Sequence, residues 1–108
     1  MDGHHYSLLK RLQEGDEGYW EKISGAVERG EIPRSLALNA LEKCLRSRIP
    51  YYQHCIGTRA TVDPKNPESG EGFGYWHGQL SEAVKTRRKI KEAIRGREPN
   101  ITYKGKSI

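Results

Sequence analysis

Apolar residues recur every three or four positions over most of this sequence, which is the spacing of one face of an α-helix. The spacing predicts a first helix over residues 5–14, ended by Gly15, and a second helix that starts after Asp16 and runs to about Arg29. Asp16 is a favourable N-cap, and Gly30 is a suitable C-terminal stop. No stretch shows a convincing strand pattern, so the sequence predicts an all-α fold.

A third and longer apolar stripe begins after Pro33 and continues to Gly57. Its members lie three or four residues apart and are Leu38, Leu41, Leu45, Ile49, Tyr52 and Ile56. Pro50 falls inside this stripe, where a proline either kinks a helix or starts a new one because it cannot donate a backbone hydrogen bond. Since the stripe keeps its phase across Pro50, we favour one kinked helix.

A fourth helix is predicted over about residues 75–96, and its inward side chains are Trp76, Leu80, Ala83, Ile90 and Ile94. The long connection before it, residues 57–74, is either mobile or functional. We therefore expect a small bundle of about four helices, built on a hairpin of the two longest helices, as a single domain over residues 1–98. Residues 99–108 are predicted to form an extended and loosely held tail.

Composition restricts the class of protein. The chain has 108 residues, of which 34% are hydrophobic, so its core is thin and we expect a homo-oligomer. The sequence holds no apolar run that could cross a bilayer and no secretory signal, which predicts a cytoplasmic protein that does not bind membranes. Cys44 and Cys55 are expected to be partly buried thiols.

Charge is distributed unevenly along the chain. The net charge is +5, but residues 1–33 hold four bases and seven acids, whereas residues 34–108 hold fifteen bases and seven acids. Such a distribution favours a basic surface for an anionic partner. The fourth helix carries the densest basic stretch, with Arg87 inside its apolar stripe and three further bases along one border of that stripe, Arg88, Lys91 and Arg95.

Two interpretations of these bases remain open. Arg87 pairs with an acid of the N-terminal segment, such as Glu14 or Glu28, or the whole group lines a groove that takes phosphate. Aromatic residues close in sequence, Tyr75, His77 and Tyr51, are candidates for stacking on a base. Gly70, Gly72 and Gly74 resemble a phosphate-binding loop, although a flexible linker is the better interpretation.

Catalysis is not expected. The four histidines and two cysteines lack the spacing of metal ligands, and no pair of carboxylates lies on one helical face near a candidate acid. We therefore expect neither a metal nor a cofactor.

The stretch PRSLALNALEKCL, residues 33–45, resembles the helical-hairpin domain of phage anti-defence sponges. In that family an Arg-Glu pair precedes Ser-Leu-Ala-Leu-Thr, and Leu-Glu follows; here Ile32 and Pro33 stand in place of the pair and Asn39 in place of the Thr. The resemblance implies a small helical oligomer that sequesters a cyclic nucleotide immune signal without cleaving it. It assigns no ligand residues, because the matched positions are mostly core.

The leading functional prediction is a non-enzymatic protein that grips a phosphate-bearing, nucleotide-like ligand, in the manner of such a sponge. One alternative is a helical protein that binds DNA or RNA with the same basic helix. The other is a protein-interaction module, such as a small inhibitor or an assembly subunit, that docks on an acidic partner surface.

Overall fold

A computed structural model describes residues 3–59, 71–96 and 100–108. Four α-helices follow one another, with a short 3₁₀ helix at Glu17–Tyr19: α1 Gly3–Gln13, α2 Trp20–Glu28, α3 Arg34–Arg59 and α4 Glu71–Ile94. Two short strands follow, β1 Thr102–Tyr103 and β2 Lys106–Ser107. The predicted all-α bundle of about four helices is confirmed.

Local signals set the first helix boundaries as expected. Gly15 has φ +100°, a conformation that suits glycine, and it turns the chain after α1. The Asp16 carboxylate accepts a hydrogen bond from the Gly18 amide at 3.2 Å and caps the 3₁₀ helix. At the end of α2, Gly30 has φ +77°, and the amides of Gly30 and Glu31 bond back to Val27 and Ala26. This is the hydrogen-bond pattern of a Schellman stop.

The two longest helices form the expected hairpin. They are antiparallel, because Arg87 contacts Glu42 near the start of α3 whereas Trp76 lies against Tyr52 near its end, with ring centroids 5.9 Å apart. The chain passes through Pro50 as one helix rather than two, which agrees with the unbroken apolar stripe.

The helices extend into the connection that was predicted at residues 57–74. Residues 57–59 belong to α3 and residues 71–74 to α4, whereas residues 60–70 lie outside the described part. Gly72 and Gly74 are therefore helical, and the resemblance of this stretch to a phosphate-binding loop is not supported. Gly70 lies outside the described residues.

The predicted apolar stripes form one core, with one exception. Trp20, Ile23, Leu41 and Ile90 are almost completely buried, but Ile94 is 49% exposed. The Glu42–Arg87 contact shows the register of the hairpin, in which Ile94 lies level with about residue 35, at the very start of α3. Little of α3 therefore remains to cover Ile94, and Ala93 is buried instead.

The end of the chain is not a loose tail. Residues 101–108 form a β-hairpin in which the Ile101 and Ile108 backbones exchange hydrogen bonds of 2.9 and 2.8 Å. Ile101 and Tyr103 are buried in the helical core, and the Trp20 indole N–H donates to the Tyr103 carbonyl at 2.9 Å. The expectation of an extended, loosely held segment was wrong, because two of its apolar side chains complete the core.

Candidate functional site

Three of the predicted ligand-binding bases lie on one exposed side at the end of α4, with Arg88 and Lys91 inside the helix and Arg95 one residue after it. At about 100° per residue, Arg88, Lys91 and Arg95 fall within an arc of about 60° and span a rise of about 10 Å. All three are exposed, and within residues 3–59, 71–96 and 100–108 none of them forms an ion pair. We call these three side chains together with Arg87 the basic face.

An open cavity of about 290 Å³ lies between α3 and this face. Its lining combines two aliphatic side chains, one from each helix, with three of the four bases: Ile49, Val84, Arg87, Arg88 and Lys91. Arg95 lies beyond the cavity, one turn further along α4. Ile49 and Val84 were not predicted as site residues: Ile49 was assigned to the apolar stripe of the third helix, and Val84 was assigned no role.

Arg87 lies at the inner edge of the basic face and is held by a carboxylate. Its Nε donates to Glu42 Oε1 at 3.2 Å, so the predicted ion pair exists, but its partner lies on α3 and is neither Glu14 nor Glu28. Glu42 also accepts two hydrogen bonds from Arg46, of 3.3 and 2.7 Å. Glu42 is the one acid in the α3 sequence, and this is the signal that could have identified it as the partner.

The environment of Glu42 keeps it charged. Burial raises its pKa, but hydrogen bonds and positive charge from Arg46 and Arg87 outweigh burial, so the pKa of Glu42 is below its usual value. The Arg87 side chain is 31% exposed and bonds Glu42 through Nε. Its terminal nitrogens are therefore oriented by Glu42 while remaining suited to a second, external anion.

The aromatic residues predicted to stack on a nucleobase lie far from the basic face. Tyr75 lies 13 residues before Arg88, which corresponds to about 20 Å along α4 and about 140° around it. Its ring packs on Trp76 at 4.9 Å. The Tyr51 ring lies 5.8 Å from Trp76 and 4.4 Å from the Arg48 guanidinium carbon. His77 does share the exposed face of α4, but about 16 Å before Arg88.

A second polar cluster is enclosed by the fold and was not predicted. The hydroxyls of Tyr52 and Tyr103 both donate to Glu17 Oε2, and Arg48 and Lys104 lie 3.8 Å from Glu17 Oε1. Burial raises the pKa of Glu17. The hydrogen bonds from the two hydroxyls and the charges of the two cations lower it by more, so the pKa of Glu17 is below its usual value. Burial and Glu17 raise the pKa of Tyr52 to about 12.

The two cysteines are more deeply buried than the partly buried thiols that were expected. Cys44 and Cys55 are buried and form no disulfide. Burial raises the pKa of Cys44 to about 12, so its reactive thiolate form is disfavoured near neutral pH. Within the described ranges, no three His, Cys, Asp or Glu side chains come close enough together to hold a metal ion. No described helix combines the length and the apolar character needed to cross a membrane.

Comparison with known proteins adds no assignment, since no family model, no curated protein and no solved structure matches this chain.

Proposed function

We propose that this protein is a non-enzymatic, intracellular binder of nucleic acid that holds phosphates along the basic face of α4. The observation that carries the proposal is the linear arrangement of Arg88, Lys91 and Arg95, which are exposed and lack ion pairs within the described residues. Lysine and arginine in such a row neutralise backbone phosphates and release counterions, which is the main source of affinity in sequence-independent binding.

The shape of the site favours an extended ligand over a compact one. A cavity of about 290 Å³ is at the small end of the range for enclosed ligand pockets, and this one opens to solvent. Of the described residues that line it, none is an aromatic side chain that could stack on a base. By contrast, Arg88, Lys91 and Arg95 span about 10 Å along the helix axis, which matches about three successive phosphates of one strand.

A compact phosphate ligand, such as a cyclic dinucleotide, is the second candidate. The observation that favours it is Arg87, whose Nε is fixed by Glu42 so that its terminal nitrogens can meet an anion in the cavity. The resemblance of residues 33–45 to cyclic-nucleotide sponges points to the same ligand class. This candidate predicts stoichiometric retention of an intact nucleotide, which native mass spectrometry of the purified protein would detect together with the predicted homo-oligomer.

Fluorescence anisotropy with labelled 20-mer single-stranded and duplex DNA, between 50 and 200 mM salt, tests the main proposal. Contacts to about four phosphates give a slope of log K against log salt of about −3 to −4. The double variant Arg88→Ala/Lys91→Ala should bind at least tenfold more weakly and reduce the magnitude of that slope by about 2.

The matched control is Lys85→Ala/Lys89→Ala. It removes the same charge from the same helix, but its two positions point about 110° away from Arg88 and Lys91. Equal losses in the two double variants would show that only net charge matters and would reject the basic face as a site. Displacement of the labelled DNA by a stoichiometric amount of cyclic dinucleotide would favour the compact ligand instead.

A further inference from the structure

A second surface groove lies between α1 and α3, and it shares no residue with the basic face. The two helices run in the same direction. Gly15, just after α1, lies against Ser47 in the middle of α3, whereas Tyr6 near the start of α1 and Leu36 near the start of α3 line the same cavity. That cavity measures about 520 Å³, and each helix contributes side chains spaced three or four residues apart: Tyr6, Leu9, Lys10 and Gln13 from α1, and Leu36, Asn39 and Lys43 from α3.

The groove exposes apolar surface at one end. Tyr6 is 63% exposed and Leu36 is 41% exposed, although Leu9 beside them is buried. Tyr6 and Leu36 provide the apolar surface that a partner helix would cover on binding.

The charge of the groove restricts the partner. Among the described residues, the charged side chains that line the groove are Lys10 and Lys43, one on each helix, and no carboxylate lines it. Neither lysine has an ion pair in the described part of the chain. A second copy docked through the same groove would bring like charges together, which is unfavourable. A partner that carries carboxylates is complementary.

The geometry of the groove restricts the shape of the partner as well. Two helices packed side by side, each presenting a face with a three-to-four residue repeat, leave the groove into which a third helix packs in a bundle. The length of α1, 11 residues, provides room for about three turns of such a helix.

We propose that the α1–α3 groove binds an acidic amphipathic helix of a partner protein. Apolar side chains of that helix pack on Tyr6 and Leu36, and carboxylates on either side of its apolar seam pair with Lys10 and Lys43. This is the helix-in-groove mode of recognition, with the lysines selecting for acidic partners.

The test uses three stapled amphipathic peptides of 14 residues that are identical except for two positions flanking the apolar seam, which are Glu, Gln or Lys. Each peptide is titrated into ¹⁵N-labelled protein, and the NMR shifts are mapped. We expect the Glu peptide to bind most tightly, the Gln peptide about tenfold more weakly and the Lys peptide not measurably. The largest shifts should fall on residues 6–13 and 36–43.

Two variants make the test specific. The charge exchange Lys10→Glu/Lys43→Glu should reverse the preference, so that the Lys peptide binds and the Glu peptide does not. Leu36→Ser should weaken the Glu peptide about tenfold, whereas Ile94→Ser, which changes an equally exposed aliphatic residue on α4, should not. Equal binding of all three peptides, shifts elsewhere on the surface, or an unchanged preference after the charge exchange would overturn the proposal.

Discussion

Removing one hydroxyl tests whether the Glu17 cluster stabilises the fold. Tyr103→Phe keeps the buried ring but deletes the hydrogen bond to Glu17. A hydrogen bond to a charged group contributes about 1.5–3 kcal/mol. Because Glu17 keeps Tyr52, Arg48 and Lys104 as partners, we expect the lower part of this range, about 1.5–2 kcal/mol. For a domain of this size that is a decrease in melting temperature of about 6–10 °C.

Urea unfolding at pH 7, followed by tryptophan fluorescence, measures this loss. A double-mutant cycle with Glu17→Gln isolates the pair from the rest of the cluster. If Tyr103→Phe costs less than about 0.5 kcal/mol, or if the two changes are additive, the hydrogen bond does not stabilise the fold and the reasoning fails.

The same cluster predicts an acid dependence. The folded-state pKa of Glu17 is below its unfolded value, so its stabilising contribution is present above the unfolded pKa and is lost as pH falls through the folded pKa. The effect of Tyr103→Phe should therefore be constant near neutral pH and shrink below about pH 4.

Three further changes test the packing. Ile101→Ala removes a completely buried side chain of the hairpin and should lower the free energy of unfolding, measured with urea, by about 2–4 kcal/mol. A loss near zero would indicate that residues 101–108 form a loose tail. Gly15→Ala places a Cβ 2.9 Å from Ser47 Oγ at a φ of +100°, and should lower stability by about 1–3 kcal/mol, with wild-type stability arguing against that close approach. Pro50→Ala, at an exposed position inside α3, should stabilise the fold by about 1–3 kcal/mol and raise the melting temperature, and an unchanged or lower melting temperature would argue against strain at Pro50.

The helical architecture could be predicted because its signals are local. The caps at Asp16 and Gly30 and the unbroken stripe across Pro50 depend on neighbouring residues, and each indicated the observed structure. The hairpin at residues 101–108 gave no comparable signal. Its strands are two residues long, and its turn, Lys104-Gly105, lacks the Asn or Asp that usually marks such a turn. Its stability comes from packing on distant helices.

The candidate site was only partly predictable for a related reason. Helical periodicity placed Arg88, Lys91 and Arg95 on one face of α4, because that relation lies within one helix. The partner of Arg87 could not be derived with the same certainty, since the register between α3 and α4 depends on packing along their whole length. The distance of Tyr75 from the bases was, in contrast, already implied by their positions in the sequence.

The enclosure of Trp20 by Tyr103 also has a consequence for how the chain folds. These residues are 83 positions apart, and Tyr103 and Glu17 are 86 apart, whereas helical proteins of this size depend mainly on contacts between near neighbours. During synthesis, Trp20 cannot donate its hydrogen bond to the Tyr103 carbonyl until residue 103 has been translated. Folding of this bundle should therefore be slower than that of a bundle closed by short-range contacts alone.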